Sequence, residues 1–154
     1  MYPLAYSTWD HKEKEAIQRV MDSDMFTMGK HVREFEQQYA QQFGSRHAVM
    51  VNSGSSANLL MLSLLKWKYN LKGNVIVPVV GWSTTYFPLA QNGFTINFVD
   101  VDPNTCNIDV TKIEQAVTKD TCAIMTVNLL GNSCDYKPIY EICRKHNLAL
   151  IEDN

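Results

Sequence analysis

The segment NVIVPVVGWSTTYFPLAQNGFTINFVDVD, residues 74–102, decides the fold. NVIVP (74–78) is a β-branched apolar run closed by a proline, which reads as a short buried strand. STTYFPLAQNG follows as a short helix ending near Gly93, and FTINFVDVD (94–102) is a second strand. Strand, helix and strand in so few residues imply a crossover connection, and therefore a parallel pair.

The same rhythm extends in both directions. Downstream, Asp109 is placed to cap the helix VTKIEQAV, TCAIMTV (121–127) is a strand, YKPIYEICRKH (136–146) a helix, and LALIED (148–153) a further strand. Upstream, HAVMV (47–51) reads as a strand, and SGSSANLLMLSLLKW opens with small polar residues before becoming almost wholly apolar, a helix buried on most faces. Two amphipathic helices precede it. DHKEKEAIQRVMDS sets Ala16, Ile17, Val20 and Met21 on one stripe, and KHVREFEQQYAQQF does so with Val32, Phe35, Tyr39 and Phe43 before Gly44, a residue suited to a helix C-terminus. MFTMG joins them. The expectation is an α/β fold: a mostly parallel sheet with flanking helices, in one domain over 1–154, helical in 1–46 and alternating strand and helix in 47–154.

Composition bounds the function. Hydrophobic residues make up 45% of 154, enough for a sizeable core. Fourteen basic and 16 acidic residues leave a net charge of −2, and no block of like charge appears, which argues against a dedicated nucleic-acid or membrane-surface binder. Apolar runs fall far short of the ~20 residues of a membrane span. The start, MYPLAYSTWDHKEKE, lacks the basic-then-apolar pattern of a leader. Cys106, Cys122, Cys134 and Cys143 form no CxxC pair, and the histidines are scattered, so free thiols in a reducing cytoplasm and no metal site are expected.

In α/β sheets ligands bind beyond the carboxyl ends of the strands, so the strand exits carry the chemistry. After HAVMV comes NSGSSAN, where Gly54 permits close backbone approach, Ser53, Ser55 and Ser56 offer hydroxyls, and a helix start presents free N–H groups to an anion. The same residues also suit a plain serine cap. After NVIVP stands Trp82, an aromatic plate for a flat ligand or a core tryptophan. Asn128 and Asn132 follow TCAIMTV and serve either a ligand or a turn. Asp153 closes the last strand, a partner for a protonated ring nitrogen or a cap for a helix. Together these place an anion cradle, a flat aromatic, an amide and a carboxylate at one sheet edge, the set that pyridoxal phosphate requires.

The motifs MFTMGKHVREFEQQYAQQFG, VNSGSSANLL, VPVVGWSTTYFPL, FVDVDPNTCNIDVTKIEQAV and LIED, in that order, resemble the DegT/StrS family of pyridoxal-phosphate-dependent sugar aminotransferases. The resemblance runs over essentially the whole chain. It implies the N-terminal part of the type I aminotransferase large domain, with Gly54, Ser55 and Ser56 on the cofactor phosphate, Trp82 stacked on the ring, Asp153 on the ring nitrogen and Asn128 near the cofactor. It implies a cytoplasmic homo-oligomer that uses an amino donor and a nucleotide-linked keto sugar in lipopolysaccharide or deoxysugar synthesis. NSGSSAN, GWSTTY, NLLGN and IEDN are closest to the branch containing sugar 3-dehydratases, which use a histidine in place of the Schiff-base lysine.

Neither that lysine nor that histidine is found in the sequence, so the chain reads as a truncated, inactive portion with weak or absent cofactor binding. The family's sheet order sets HAVMV beside strands not found here, leaving three spacings, roughly 14 Å, between it and LALIE. Exposed apolar edges of that kind favour a rearranged sheet or pairing with a second copy. A reading of another class is a short non-catalytic protein for self-association or partner binding.

Overall fold

The computed structural model describes residues 6–154. Residues 1–5, the beginning of the segment read above as lacking a leader, lie outside the described residues. The chain divides into two compact units, Met1–Met50 and Val51–Asn154.

The first unit contains α1 (His11–Asp22) and α2 (Lys30–Gln42). α1 begins at a reciprocal cap: the Asp10 carboxylate accepts from Lys12 N at 2.6 Å, and the Glu13 carboxylate accepts from Asp10 N at 2.8 Å. Both helices form where the apolar periodicity placed them, but their stripes are open. α1 buries no residue, and Ile17 and Met21 remain 46% and 54% exposed. In α2 only Ala40 is buried; Phe35, Tyr39 and Phe43 stack along its outside, with ring centroids 5.7 and 4.5 Å apart.

Residues 47–51 correct the expectation of a first strand. They pair with no strand among the described residues, and Met50 N donates instead to Glu36 Oε1 at 2.8 Å. A strand is made by its ladder, and an apolar run with no neighbouring strand has no backbone partner to hold it extended.

The second unit is a sheet covered on both faces. Its strands are β1 (Asn74–Pro78), β2 (Thr95–Val99), β3 (Thr121–Val127) and β4 (Ala149–Asp153), joined by α3 (Gly54–Trp67), α4 (Ser83–Gln91), α5 (Val110–Ala116) and α6 (Tyr136–His146). The order is β2-β1-β3-β4, with every pair parallel. The period-two alternation assigns the faces. Val75, Val77, Ala123, Met125 and Ile151 meet Leu62 of α3 and Leu89 of α4. Ile76 and Ile124, with Leu150, meet Ile113 of α5 and Ile139 and Ile142 of α6. The parallel α/β expectation therefore holds, with four strands rather than five.

All four strands run the same way, so their carboxyl ends share one edge of the unit. β4 is an outer strand, and a cleft of about 390 Å³ lined by Met61, Leu64 and Leu65 of α3 and Leu150, Ile151 and Glu152 of β4 runs beside it.

Candidate functional site

β1 exits towards Trp82, β3 towards Asn128, and β4 ends on Asp153. β3 and β4 finish level, with Val127 opposite Asp153 and Asn128 N donating to the Asp153 carbonyl at 3.2 Å. The start of α3 is tied to the same edge, because buried Asn58 donates through Nδ2 to the Thr84 carbonyl in the first turn of α4 at 3.5 Å. The four sequence-derived features are thus gathered within one unit.

The start of α3 has a serine cap that leaves backbone donors free. Ser53 Oγ accepts from Ser56 N at 3.2 Å and donates to Ser56 Oγ at 3.2 Å. Among the described residues, the N–H groups of Gly54 and Ser55 and the Ser55 hydroxyl have no partner. A Cβ built at Gly54 would meet nothing within 4 Å, so the helix start faces open space. Free amide donors at the positive end of a 14-residue helix favour an anion.

Trp82 is no core residue: it is 73% exposed, at the N-cap of α4. The strand that leads to it is tied to the same helix. The Tyr86 hydroxyl donates to the Pro78 carbonyl at 2.9 Å, and its ring meets Phe98 edge-on at 5.3 Å. A side chain at Gly81 would meet that hydroxyl and could be accommodated only if the Tyr86 side chain gave way. Burial, and then the negative charge of Asp153, push the Tyr86 phenol above its ordinary pKa.

Asp153 is anchored by one oxygen. Its Oδ2 accepts from the Thr85 hydroxyl at 2.5 Å, while Oδ1 has no protein partner among the described residues. Thr85 itself is fully buried. Asn128 is engaged differently: Oδ1 accepts from Cys134 N at 2.9 Å and from the Tyr136 hydroxyl at 3.0 Å, and Nδ2 donates to Asn154 Oδ1. The amide holds the β3 exit in shape. Asn132 likewise donates to the Thr105 carbonyl at 3.4 Å. Burial raises the Tyr136 phenol in the same cluster. Thr85 and Tyr86 were absent from the sequence-derived set; the polar run Ser83–Thr84–Thr85 at a helix start was the signal available, and it reads equally as a cap.

All four cysteines are free, and no group of three or more metal-ligating side chains comes together among the described residues.

A four-stranded parallel sheet flanked by helices, with its strand ends at one edge, is the arrangement of the pyridoxal-phosphate-dependent aminotransferase fold. The whole chain superposes on a solved enzyme of that fold, Escherichia coli GDP-4-keto-6-deoxy-D-mannose-3-dehydratase with bound hydrated PLP, with a TM-score of 0.93 and 53% identity, covering 100% of this chain and 41% of that one. Residues 7–154 match the DegT/DnrJ/EryC1/StrS aminotransferase family, and the chain belongs to it. Among its relatives are GDP-4-keto-6-deoxy-D-mannose 3-dehydratase of Yersinia pseudotuberculosis, 52% identical over 99% of this chain and 40% of the relative, and GDP-perosamine synthase of Caulobacter vibrioides, 37% identical over 94% and 38%. The chain spans about 40% of the length of these curated relatives.

Proposed function

We propose that this chain forms the pyridoxal 5′-phosphate-binding sheet edge of a cytoplasmic enzyme that acts on a nucleotide-linked keto sugar, as the N-terminal portion of a larger cofactor-binding domain. The observation that carries the reading is Asp153: a carboxylate at a strand end with one oxygen anchored by Thr85 and the other without a protein partner. The donor set fits the cofactor. The N–H groups of Gly54 and Ser55 and the hydroxyls of Ser55 and Ser56 would receive the phosphate, Trp82 would supply a flat apolar wall, and the free oxygen of Asp153 would accept from the ring N–H and hold that proton. Asn128 contributes by shaping the loop beside Asp153. When bound, the cofactor supplies an electron sink for chemistry at the carbon next to its nitrogen.

We assign the proton-transferring residue, a lysine for amino transfer from an amino donor or a histidine for dehydration, to none of these 154 residues. Several lysines have other roles: Lys66 lies over Phe94, Lys112 is held by Asp100 and Asp109, and Lys145 by Glu114. On this assignment, turnover by this chain alone is expected to be negligible. Between the two activities, the 52% and 54% identities with two 3-dehydratases, against 37% with GDP-perosamine synthase, favour removal of a sugar hydroxyl. Copies associate; light scattering that returned a monomer mass would contradict this.

Equilibrium dialysis against pyridoxal 5′-phosphate tests the cofactor assignment. Asp153→Asn is expected to weaken retention about tenfold, the loss of one charge-assisted hydrogen bond. Equal retention by both proteins would refute it.

A further inference from the structure

Three successive residues at the start of α4 reach three different elements. The Thr84 carbonyl accepts from Asn58 of α3, the Thr85 hydroxyl donates to Asp153 of β4 at 2.5 Å, and the Tyr86 hydroxyl donates to the Pro78 carbonyl of β1 at 2.9 Å. The turn that follows Trp82 therefore braces the anion helix, the carboxylate strand and the strand that leads to the aromatic.

The middle contact is the informative one. A carboxylate's terminal torsion is broad, so an Asp at a strand end is free to swivel unless an oxygen is held. Thr85 holds it from a fully buried position, with its hydroxyl proton directed at Oδ2. An ionised carboxylate is acceptor-only, and a short O–H···O⁻ bond is the strong, charge-assisted kind. Neither its sequence position nor its residue type requires a threonine there: α4 already has its N-cap at Trp82, and a valine would match the shape.

We propose that Thr85 is a positioning residue for the cofactor. Its hydroxyl fixes the plane of Asp153 through Oδ2, leaving Oδ1 as the acceptor for the ring N–H. This rests on the reading of Asp153 as the partner of the ring nitrogen. Without the hydroxyl the carboxylate turns away, and the bound ring loses its proton more readily.

The test uses the whole chain and 4′-deoxypyridoxine 5′-phosphate, which lacks the aldehyde and so cannot be captured by surface lysines. Affinity is measured for the unmodified protein, Thr85→Val, Thr85→Ser and Asp153→Asn, with the ring absorbance reporting the protonation of the bound ring nitrogen. Inorganic phosphate is titrated in parallel. Thr85→Val is expected to weaken the probe about tenfold and move the ring band towards the unprotonated form, with phosphate affinity unchanged, because one charge-assisted bond is lost. Thr85→Ser restores both. If Thr85→Val behaves as the unmodified protein while Asp153→Asn does not, the positioning role is overturned and the cofactor reading stands. If Asp153→Asn also leaves affinity and ring band unchanged, both fall. A second measurement needs no variant: the Thr85 hydroxyl proton should be slow to exchange and correlate with the Asp153 carboxyl carbon by NMR, and a rapidly exchanging hydroxyl would overturn the proposal.

Discussion

The two units carry apolar stripes of similar sequence character with opposite fates. Ile17 and Met21 of α1, and Phe35 and Tyr39 of α2, stay about half exposed, whereas Ile113 of α5 and Ile139 of α6 are fully buried. Intrinsic periodicity is comparable; the difference is a sheet. In the second unit each helix meets a continuous apolar face two residues deep in alternation, so burying a stripe removes a whole layer from water. In the first unit α1 has its reciprocal cap and no buried residue, and α2 has a row of stacked aromatics with only Ala40 buried. Amphipathicity states which face of a helix is to be covered, but only a partner layer covers it.

The largest expected consequence lies in the core. Ile124→Ala in β3 removes a fully buried side chain from the face against α5 and α6 and should cost about 2–5 kcal/mol, read by urea unfolding of the Val51–Asn154 unit. Ile17→Ala, the same chemistry on the open stripe of α1, should stay within about 0.5 kcal/mol. Similar costs for the two would erase the contrast between the units.

A smaller effect sharpens it. With no buried face, α1 depends on its reciprocal cap, so Asp10→Ala should cost about 1 kcal/mol of local helix stability, seen as faster amide exchange over residues 11–15. Unchanged exchange would mean that something other than the cap holds the helix.

The smallest concerns alkaline pH. Burial raises the Tyr86 phenol, with Asp153 adding to it, and burial raises Tyr136 as well. A raised folded-state pKa means stability that is complete below the unfolded value of about 10 and is lost as pH rises through the folded value. The second unit should therefore weaken above about pH 10, and the doubly substituted Tyr86→Phe, Tyr136→Phe protein should show a shallower decline. An identical alkaline limb in that protein would place the titration elsewhere.

Much of the second unit was legible in the sequence. β1, β3 and α6 begin and end where unbroken apolar or amphipathic runs are bounded by glycine, proline or polar residues, and local chemistry is enough to set such limits. Residues 47–51 share that local character and are not a strand, because pairing is a property of a neighbour, not of the run itself. The site divides in the same way. Among the candidate site residues, Trp82 and Asp153 stand out by residue type at a strand exit, and Ser55 by residue type at a helix start. Thr85 does not, since its meaning comes from a contact 68 residues away that no local pattern encodes. Asn128 shows the converse: a polar residue in a suggestive place whose side chain is taken up by its own loop.

The central claim is that the carboxyl edge of the β2-β1-β3-β4 sheet is where this chain takes its cofactor. Amide NMR of the uniformly labelled chain, titrated with 4′-deoxypyridoxine 5′-phosphate, tests it most directly. Shifts are expected at Gly54, Ser55 and Ser56, at the Trp82 indole, and at Thr85 and Asp153, with Gly73, Gly93 and Lys119 at the opposite edge unmoved. Shifts confined to that opposite edge or to α1 and α2, or no shifts at saturating probe, would contradict it.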